Sequence, residues 1–217
     1  MTQRIFWMEP YRTTLAARVT GVSGDLITLD RTILYAFSGG QESDRGTIGG
    51  YEVLNARLDG DEIHYTLPAG HGLLHDAEVE VAIDWVRRYR LMRLHFAAEL
   101  VLEVVCRTLP QATKIGAHIA ADKARIDFES ATAVTPLLAD IRRQAIDVIA
   151  ADRPVVSEFS DEATGRRYWE VEGFARVPCG GTHLRRTGEV GDIELKRRNV
   201  GRGKERIEIY LIEPTRG

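Results

Sequence analysis

The sequence predicts an α+β protein, in which an N-terminal antiparallel β-barrel is followed by a domain of helices packed on an antiparallel sheet. Short apolar runs separated by turn signals fill the first 80 residues. Two later segments repeat apolar residues at three- and four-residue steps, and alternating strands follow each of them. We therefore predict two domains, residues 1–80 and residues 81–217.

The barrel is predicted from two hairpins. Residues 15–19 and 26–29 flank a glycine-containing turn, and a second pair of apolar stretches flanks Asp59 and Gly60, a common hairpin dipeptide. Between the hairpins, the glycine-rich residues 37–50 are predicted to form a loop. Closure of these strands on themselves would give a small barrel.

Two helices are predicted in the second domain. The first runs from about Trp85 to Thr108 with Asp84 as its N-cap, because its apolar residues have helical spacing. The second opens at Thr135 and Pro136, a cap residue followed by proline at the first helical position. Alternating apolar residues then predict strands at residues 124–128 and 207–211.

Composition limits the functional classes. With 29 Lys and Arg against 32 Asp and Glu, the formal net charge is -3, which excludes a wholly basic nucleic-acid coat but allows a local basic patch. Apolar runs are shorter than the roughly 20 residues needed to cross a bilayer. We expect a cytoplasmic protein with no membrane partner, whose thiols stay reduced.

Two short motifs have the spacing of metal ligands. His95 and Glu99 are four residues apart on the first predicted helix and project from the same face, although an ordinary hydrogen bond has this spacing too. Cys179 and His183 are separated by two glycines and a threonine. They could reach one ion, or be a buried cysteine beside a hydrogen-bonded histidine. Because tetrahedral zinc needs four ligands, each pair strengthens the case for the other.

A basic run near the C-terminus is interrupted by glycines, which let a backbone approach phosphates closely. A solvated charged turn is the alternative. The cations of this basic run are Lys196, Arg197, Arg198, Arg202, Lys204 and Arg206.

The two motifs together resemble the editing domain shared by alanyl-tRNA synthetases and their stand-alone relatives, the AlaX proteins. Further similarity lies in residues 37–46, 83–95, 122–128 and 196–206. The resemblance implies an N-terminal barrel joined to an α/β editing domain, without the activation domain of the synthetase. It also implies zinc at His95, Glu99, Cys179 and His183, contact between the cations of the basic run and the tRNA acceptor stem, and hydrolysis of serine or glycine from mischarged alanine tRNA.

Three positions depart from the family pattern. Glu99 replaces the second histidine, Phe96 replaces a threonine, and His118 stands where the family has a glutamine. Phe96 is assigned to substrate binding, or points into the core. His118 is assigned as the catalytic base, or is an ordinary strand residue. The glycine-rich loop contributes three more substrate-binding candidates, or is only a hairpin connection: Gly39, Gly40 and Gln41.

The departures leave other functions open. The same fold and metal could hydrolyse another ester or an amide, and a silent site would leave a tRNA-binding module. Stoichiometric zinc without hydrolysis of any aminoacyl-tRNA would favour the former. Salt-sensitive tRNA binding without metal would favour the latter.

Overall fold

The computed structural model describes residues 1–213, which contain two α-helices and sixteen β-strands. The chain divides into two compact units, the first covering Met1–Arg90 and the second beginning at Leu91. The domain boundary that we predict at residue 80 stays a prediction. Neither helix within residues 1–213 has both the length and the apolar character that a membrane span requires.

The first unit consists of nine strands, seven of them in one antiparallel sheet of order β6-β5-β9-β2-β3-β8-β7. The remaining two, β1 and β4, pair in parallel. The strands are β1 (Gln3–Arg4), β2 (Thr14–Ser23), β3 (Leu26–Leu29), β4 (Arg31–Thr32), β5 (Gly46–Ile48), β6 (Tyr51–Glu52), β7 (Asn55–Asp59), β8 (Glu62–Thr66) and β9 (Glu78–Ile83).

Both predicted hairpins are confirmed, as the β2–β3 and β7–β8 pairs. Alternate residues of β2 (Leu15, Ala17 and Val19) are buried, as a sheet with one face on a core requires. The sheet is curled, with a register shift in the β2–β3 pair. Within the described residues its edge strands β6 and β7 are not paired to each other, so the closed barrel is not confirmed.

The prediction that residues 37–50 form a loop is wrong for β5, which lies within this range. Gly46 pairs with Ile83 of β9, and a Cβ atom on this glycine would lie 2.1 Å from the carbonyl oxygen of Ala82. The glycine therefore permits close approach of two strands here, although glycine in a sequence ordinarily indicates a turn.

The second unit contains most of α1 (Trp85–Thr108), all of α2 (Leu138–Ala150) and two antiparallel sheets. The sheets have the orders β10-β11-β16-β15 and β12-β13-β14. The strands are β10 (Thr113–Ile119), β11 (Ala124–Glu129), β12 (Val156–Asp161), β13 (Arg166–Val171), β14 (Ala175–Pro178), β15 (Asp192–Asn199) and β16 (Lys204–Ile212).

Helix α1 has the predicted bounds, and its predicted cap is confirmed, because the N–H of Arg87 donates to Oδ1 of Asp84 at 3.0 Å. The helical spacing of its apolar residues predicts one buried face, but burial extends beyond that face. Adjacent residues such as Leu100 and Val101 are both fully buried, which indicates a core helix enclosed on several sides. Polar groups at its centre therefore need partners.

Helix α2 begins differently from the prediction. A 3-10 turn, Thr135–Leu137, precedes it, and the residues at the N-caps of the turn and of the helix are Val134 and Leu137, neither with a side-chain capping hydrogen bond. The helical spacing of α2 predicts four inward-facing residues, of which Ile141, Ala145 and Ile149 are buried and Leu138 is half-buried. The helix packs against β15, on the face of the sheet that is apolar.

A buried ion pair ties the start of α1 to the glycine-rich loop. Arg88 and Asp44 both have side chains that are 0% exposed, and Nε of Arg88 donates to Oδ1 of Asp44 at 2.8 Å. The guanidinium also donates to the carbonyl oxygens of Ile33 and Pro10, while the carboxylate accepts the N–H of Tyr35. Most polar groups of the pair thus have partners.

We expect Arg88→Ala to lower the free energy of unfolding by about 3 to 5 kcal/mol, because it leaves a carboxylate buried without its cation. Arg57→Ala is the matched control. Its ion pair with Asp59 is 64% exposed on both sides, so the cost should stay below about 1 kcal/mol. Urea titration measures both, and similar values for the two variants would contradict this account.

Candidate metal centre and nucleic-acid face

One half of the candidate centre lies on α1. His95 and Glu99 are one helical turn apart, and Nε2 of His95 lies 3.4 Å from Oε1 of Glu99. Both are nearly removed from solvent, with side-chain exposures of 8% and 13%. Because the surrounding helix is apolar, these two groups have few polar neighbours apart from each other and the loop described next.

The other half lies on the segment that follows β14. The N–H of Cys179 donates to the carbonyl oxygen of Arg167 on β13 at 2.9 Å, which anchors the segment to the neighbouring strand. The N–H of Gly181 then lies 3.5 Å from the Cys179 sulfur, so the chain turns around the thiol. After this turn His183 is buried, at 3% exposure.

The two halves meet. Sγ of Cys179 lies 3.5 Å from Nε2 of His95, and Nε2 of His183 lies 3.4 Å from Oε2 of Glu99. One ligand atom from each of the four residues falls within 4.8 Å of every other. Nitrogen, oxygen and single sulfur ligands at zinc bond lengths on a tetrahedron would be about 3.3 to 3.6 Å apart, close to these contacts. The structure thus brings together the four residues that the sequence predicts as ligands.

The charges of the four groups support one another. Burial alone would lower the pKa of His95 and of His183. The charges of Glu99 and Cys179 have the larger effect, so the pKa of each histidine is raised above its usual value. Burial would likewise raise the pKa of Glu99 and of the Cys179 thiol, but the two imidazoles lower both. The group therefore resembles two opposed ion pairs, in which a divalent cation would replace protons.

The donor atoms fit a metal. Within residues 1–213, Nε2 of His183 and Oε2 of Glu99 are buried without a hydrogen-bond partner. Both atoms point into the group of four, where a cation would satisfy them. Two nitrogens, one sulfur and one carboxylate oxygen form a donor set typical of zinc.

Phe96 is fully buried beside this centre. Its ring meets Trp169 edge-on at 5.1 Å and lies 6.4 Å from the imidazole of His183. An apolar ring therefore lies at this position, where a threonine would offer a hydroxyl group. Phe96 packs beside a candidate ligand.

The glycine-rich loop lies in the first unit. Ser38 and Gln41 exchange two backbone hydrogen bonds, of 2.9 and 3.3 Å, across Gly39 and Gly40. Both glycines have left-handed backbones, with φ of 58° and 89°, which other residues adopt at a cost. The loop is a tight turn with Gln41 buried.

His118 lies on β10, half-buried, opposite Arg125 of β11. It is not one of the four grouped ligands. Its strand neighbours place it on the polar face of the four-stranded sheet, which also carries part of the basic run.

The basic run is divided between the two faces of this sheet. Lys196 and Arg198 alternate with the buried Leu195 of β15, so they lie on the open face. Lys204 and Arg206 of β16 lie on the same face, and Arg202 lies in the connecting turn. Most of the predicted contacts therefore share one surface.

Arg197 lies on the opposite face. Its guanidinium donates two hydrogen bonds to the carboxylate of Glu205, at 2.8 and 3.0 Å. Glu205 is buried next to Phe128 in the strand register. This geometry makes Arg197 the partner of a buried carboxylate and removes it from the surface that the other cations share.

Carboxylates on the open face pair with some of its cations. Glu208 accepts hydrogen bonds from Lys123, Arg198 and Tyr210 at 2.7 to 2.9 Å. Burial would raise the pKa of Glu208, but these donors lower it to about 2. Asp127 binds Arg206 in the same way. Within residues 1–213, Arg202 and Lys204 belong to no ion pair.

Several residues around the centre have no signal in the sequence. Ser157 of β12 lies 2.8 Å from Nδ1 of His183, and Trp169 packs on Phe96. Arg167, which is buried, interacts with the charge of Cys179. The local sequence does not distinguish these three residues, and only the pairing of β12 with β13 reveals their position.

Comparison with known families and proteins gives consistent results. Residues 170–208 match the threonyl and alanyl tRNA synthetase second additional domain. This match contains Cys179, His183 and the basic run.

Two relatives that the chain matches over nearly their full length are named alanyl-tRNA editing proteins. The chain is 32% identical to the alanyl-tRNA editing protein AlaX-M of Pyrococcus horikoshii, over 97% of this chain and 98% of that protein. It is 30% identical to AlaX-M of Methanosarcina mazei, over 100% of this chain and 99% of that protein. It is also 33% identical to the alanine–tRNA ligase of Methanopyrus kandleri, over 95% of this chain but 26% of the ligase.

Proposed function

The chain belongs to the alanyl-tRNA editing protein family, and from that membership we propose that it is a zinc-dependent deacylase of misacylated alanine tRNA. The bond cleaved is the ester that joins serine or glycine to the tRNA. The observation that carries the proposal is the group of two histidines, a cysteine and a glutamate, whose ligand atoms all lie within 4.8 Å of one another. Editing in trans is the role that this implies.

His95, Glu99, Cys179 and His183 would hold the ion. Zinc bound there supplies a Lewis acid that can polarise or orient the ester. The chain itself contributes a site shielded by the apolar α1 and by Phe96, in which charges act strongly because water is largely excluded. An aminoacyl ester is already activated, so positioning can account for much of the acceleration.

The remaining assignments concern the substrate. Gly39, Gly40 and Gln41 are proposed to contact the aminoacyl end, and Phe96 to shape the pocket through its packing on His183. His118 is proposed as a proton acceptor or a substrate contact. Its place on the open face also favours contact with the RNA.

We expect the zinc-loaded protein to release serine from alanine tRNA charged with serine. Cys179→Ala should reduce the rate to near the spontaneous value, because it removes a ligand and leaves two imidazoles and a carboxylate unbalanced. Cys106→Ala is the matched control, since Cys106 is exposed and outside the group. Release of labelled serine, with and without a chelator, measures the effect.

Failure of this experiment would redirect the proposal. Zinc binding without release from any aminoacyl-tRNA would favour a hydrolase of another ester or an amide, which the changes at Phe96 and Glu99 make the second candidate. Binding of tRNA with neither zinc nor hydrolysis would favour a silent binding module.

Glu99 alters the charge of the centre. Zinc with two imidazoles, one thiolate and one carboxylate has a formal charge of zero, whereas a third imidazole in place of the carboxylate leaves a positive charge. A more positive centre polarises a carbonyl or water more strongly. The family pattern with two helix histidines therefore predicts a stronger Lewis acid than this chain has.

Glu99→His should raise the rate of serine release by several-fold at saturating zinc. Glu103→His makes the same replacement one turn further along α1, outside the group of four, and should have little effect. Equal rates and equal zinc affinities for Glu99→His and the parent would contradict the charge argument.

The tRNA partner is proposed to lie on the open face of the four-stranded sheet, with its acceptor stem against Lys196, Arg198, Arg202, Lys204 and Arg206. Exposed cations without carboxylate partners are the most available for phosphate, which favours Arg202 and Lys204. Arg197 contributes to the sheet instead.

The double variant Arg202→Ala/Lys204→Ala should weaken tRNA binding and reduce the slope of log K against log salt by about two, since each phosphate contact contributes about one. Arg197→Gln removes a cation from the opposite face and should leave the slope unchanged. Filter binding over a range of salt concentrations measures both. An unchanged slope for the double variant would place the RNA elsewhere.

A further inference from the structure

Ser157 lies outside the group of four candidate ligands, and its side chain contacts one of them, His183. Its hydroxyl oxygen lies 2.8 Å from Nδ1 of His183, on the side of the ring opposite Nε2. Ser157 is half-buried on β12, and in the sheet register it stands opposite Trp169. The same oxygen lies 3.5 Å from the carbonyl oxygen of Tyr168, a second and weaker acceptor.

The backbone holds this contact in register. The N–H of Val155 donates to the carbonyl oxygen of Arg185 at 2.8 Å, and Thr187 and Arg153 exchange backbone and side-chain hydrogen bonds at 2.9 and 3.0 Å. These bonds join the residues just before β12 to the residues just after His183. The serine and the imidazole are therefore placed against each other by the fold around them.

Chemistry decides which way this hydrogen bond runs. A neutral imidazole carries one proton, and the nitrogen without it is the one that can bind a cation. Nε2 of His183 faces Glu99 and the rest of the group, and is buried without a hydrogen-bond partner within residues 1–213. If Nε2 is the ligand atom, Nδ1 carries the proton and donates it to Ser157, whose own proton can turn to Tyr168.

The other histidine is held differently. Nδ1 of His95 is buried without a hydrogen-bond partner in the described part of the chain. Its orientation comes from the rigid helix and from Glu99 one turn away. His183 lies on a segment without regular structure, where an imidazole depends more on side-chain contacts for its orientation.

We propose that Ser157 is a positioning residue of the metal centre, whose hydroxyl oxygen accepts the Nδ1 proton of His183 and thereby presents the Nε2 lone pair to the other three ligands. The inference rests on the proposed zinc site and adds a residue that acts through His183. Through Ser157, strand β12 would then determine which nitrogen of His183 carries the proton, and so contribute to the zinc affinity.

The test combines affinity with a direct reading of the tautomer. Zinc affinity is measured on the full chain by competition with a chelating indicator, and nitrogen-15 NMR of the imidazoles is recorded at alkaline pH, without and with zinc. We expect Ser157→Ala to bind zinc about 10- to 100-fold more weakly, the usual range for loss of such a partner. Ser157→Thr keeps the hydroxyl in a strand-favouring residue and should retain most of the affinity.

Ser160→Ala is the matched control. It removes a hydroxyl from the same strand, where Ser160 is exposed and donates to the carbonyl oxygen of Arg166, and zinc affinity should not change. In the zinc-loaded parent, the nitrogen-15 shifts should show the proton of His183 on Nδ1 and the metal on Nε2.

Two results would overturn the proposal. One is zinc affinity of Ser157→Ala equal to that of the parent, and the other is a zinc-loaded parent in which Nδ1 of His183 binds the ion. The second holds even if Ser157→Ala fails to fold, because it is measured on the parent. A parent that binds no zinc would contradict the proposed metal centre, and the role assigned to Ser157 would fall with it.

Discussion

The burial of four ionisable side chains in one small volume is the constraint on which the centre depends. His95, Glu99, Cys179 and His183 lie within 4.8 Å of one another in surroundings that are largely apolar. Charged groups removed from water need opposite charges or a metal nearby. Opposed imidazoles and anions meet part of that need, and a divalent cation would meet the rest. The turn at Cys179 and the contact from Ser157 both serve this arrangement.

The same electrostatic reasoning separates the cations of the basic run. Arg197 balances the buried carboxylate of Glu205, whereas Arg198 shares Glu208 with other donors on the open face. Adjacent residues in a strand point to opposite sides, so neighbours in the run have unrelated tasks. A count of positive charges along the chain is therefore a poor guide to the surface that we propose for RNA, and the faces of the sheet are a better one.

Much of the fold follows from local patterns. Turn dipeptides and alternation predict the hairpins, and helical spacing with a capping aspartate predicts α1 to its final residue. The failures have non-local causes. Gly46 permits two strands to approach, although glycine more often indicates a loop. Barrel closure depends on whether distant edges meet, which the local pattern of each strand does not contain.

The sequence by itself indicated the family, the two pairs of candidate ligands and the departures at Phe96, Glu99 and His118, because motifs and helical spacing are local properties. Tertiary structure decided that candidate ligands 84 residues apart in the chain converge, that Phe96 packs beside them, and that Arg197 faces away from the other cations. It alone placed Ser157 on His183. These outcomes depend on which strands pair and in what register, and that is set by packing of the whole unit.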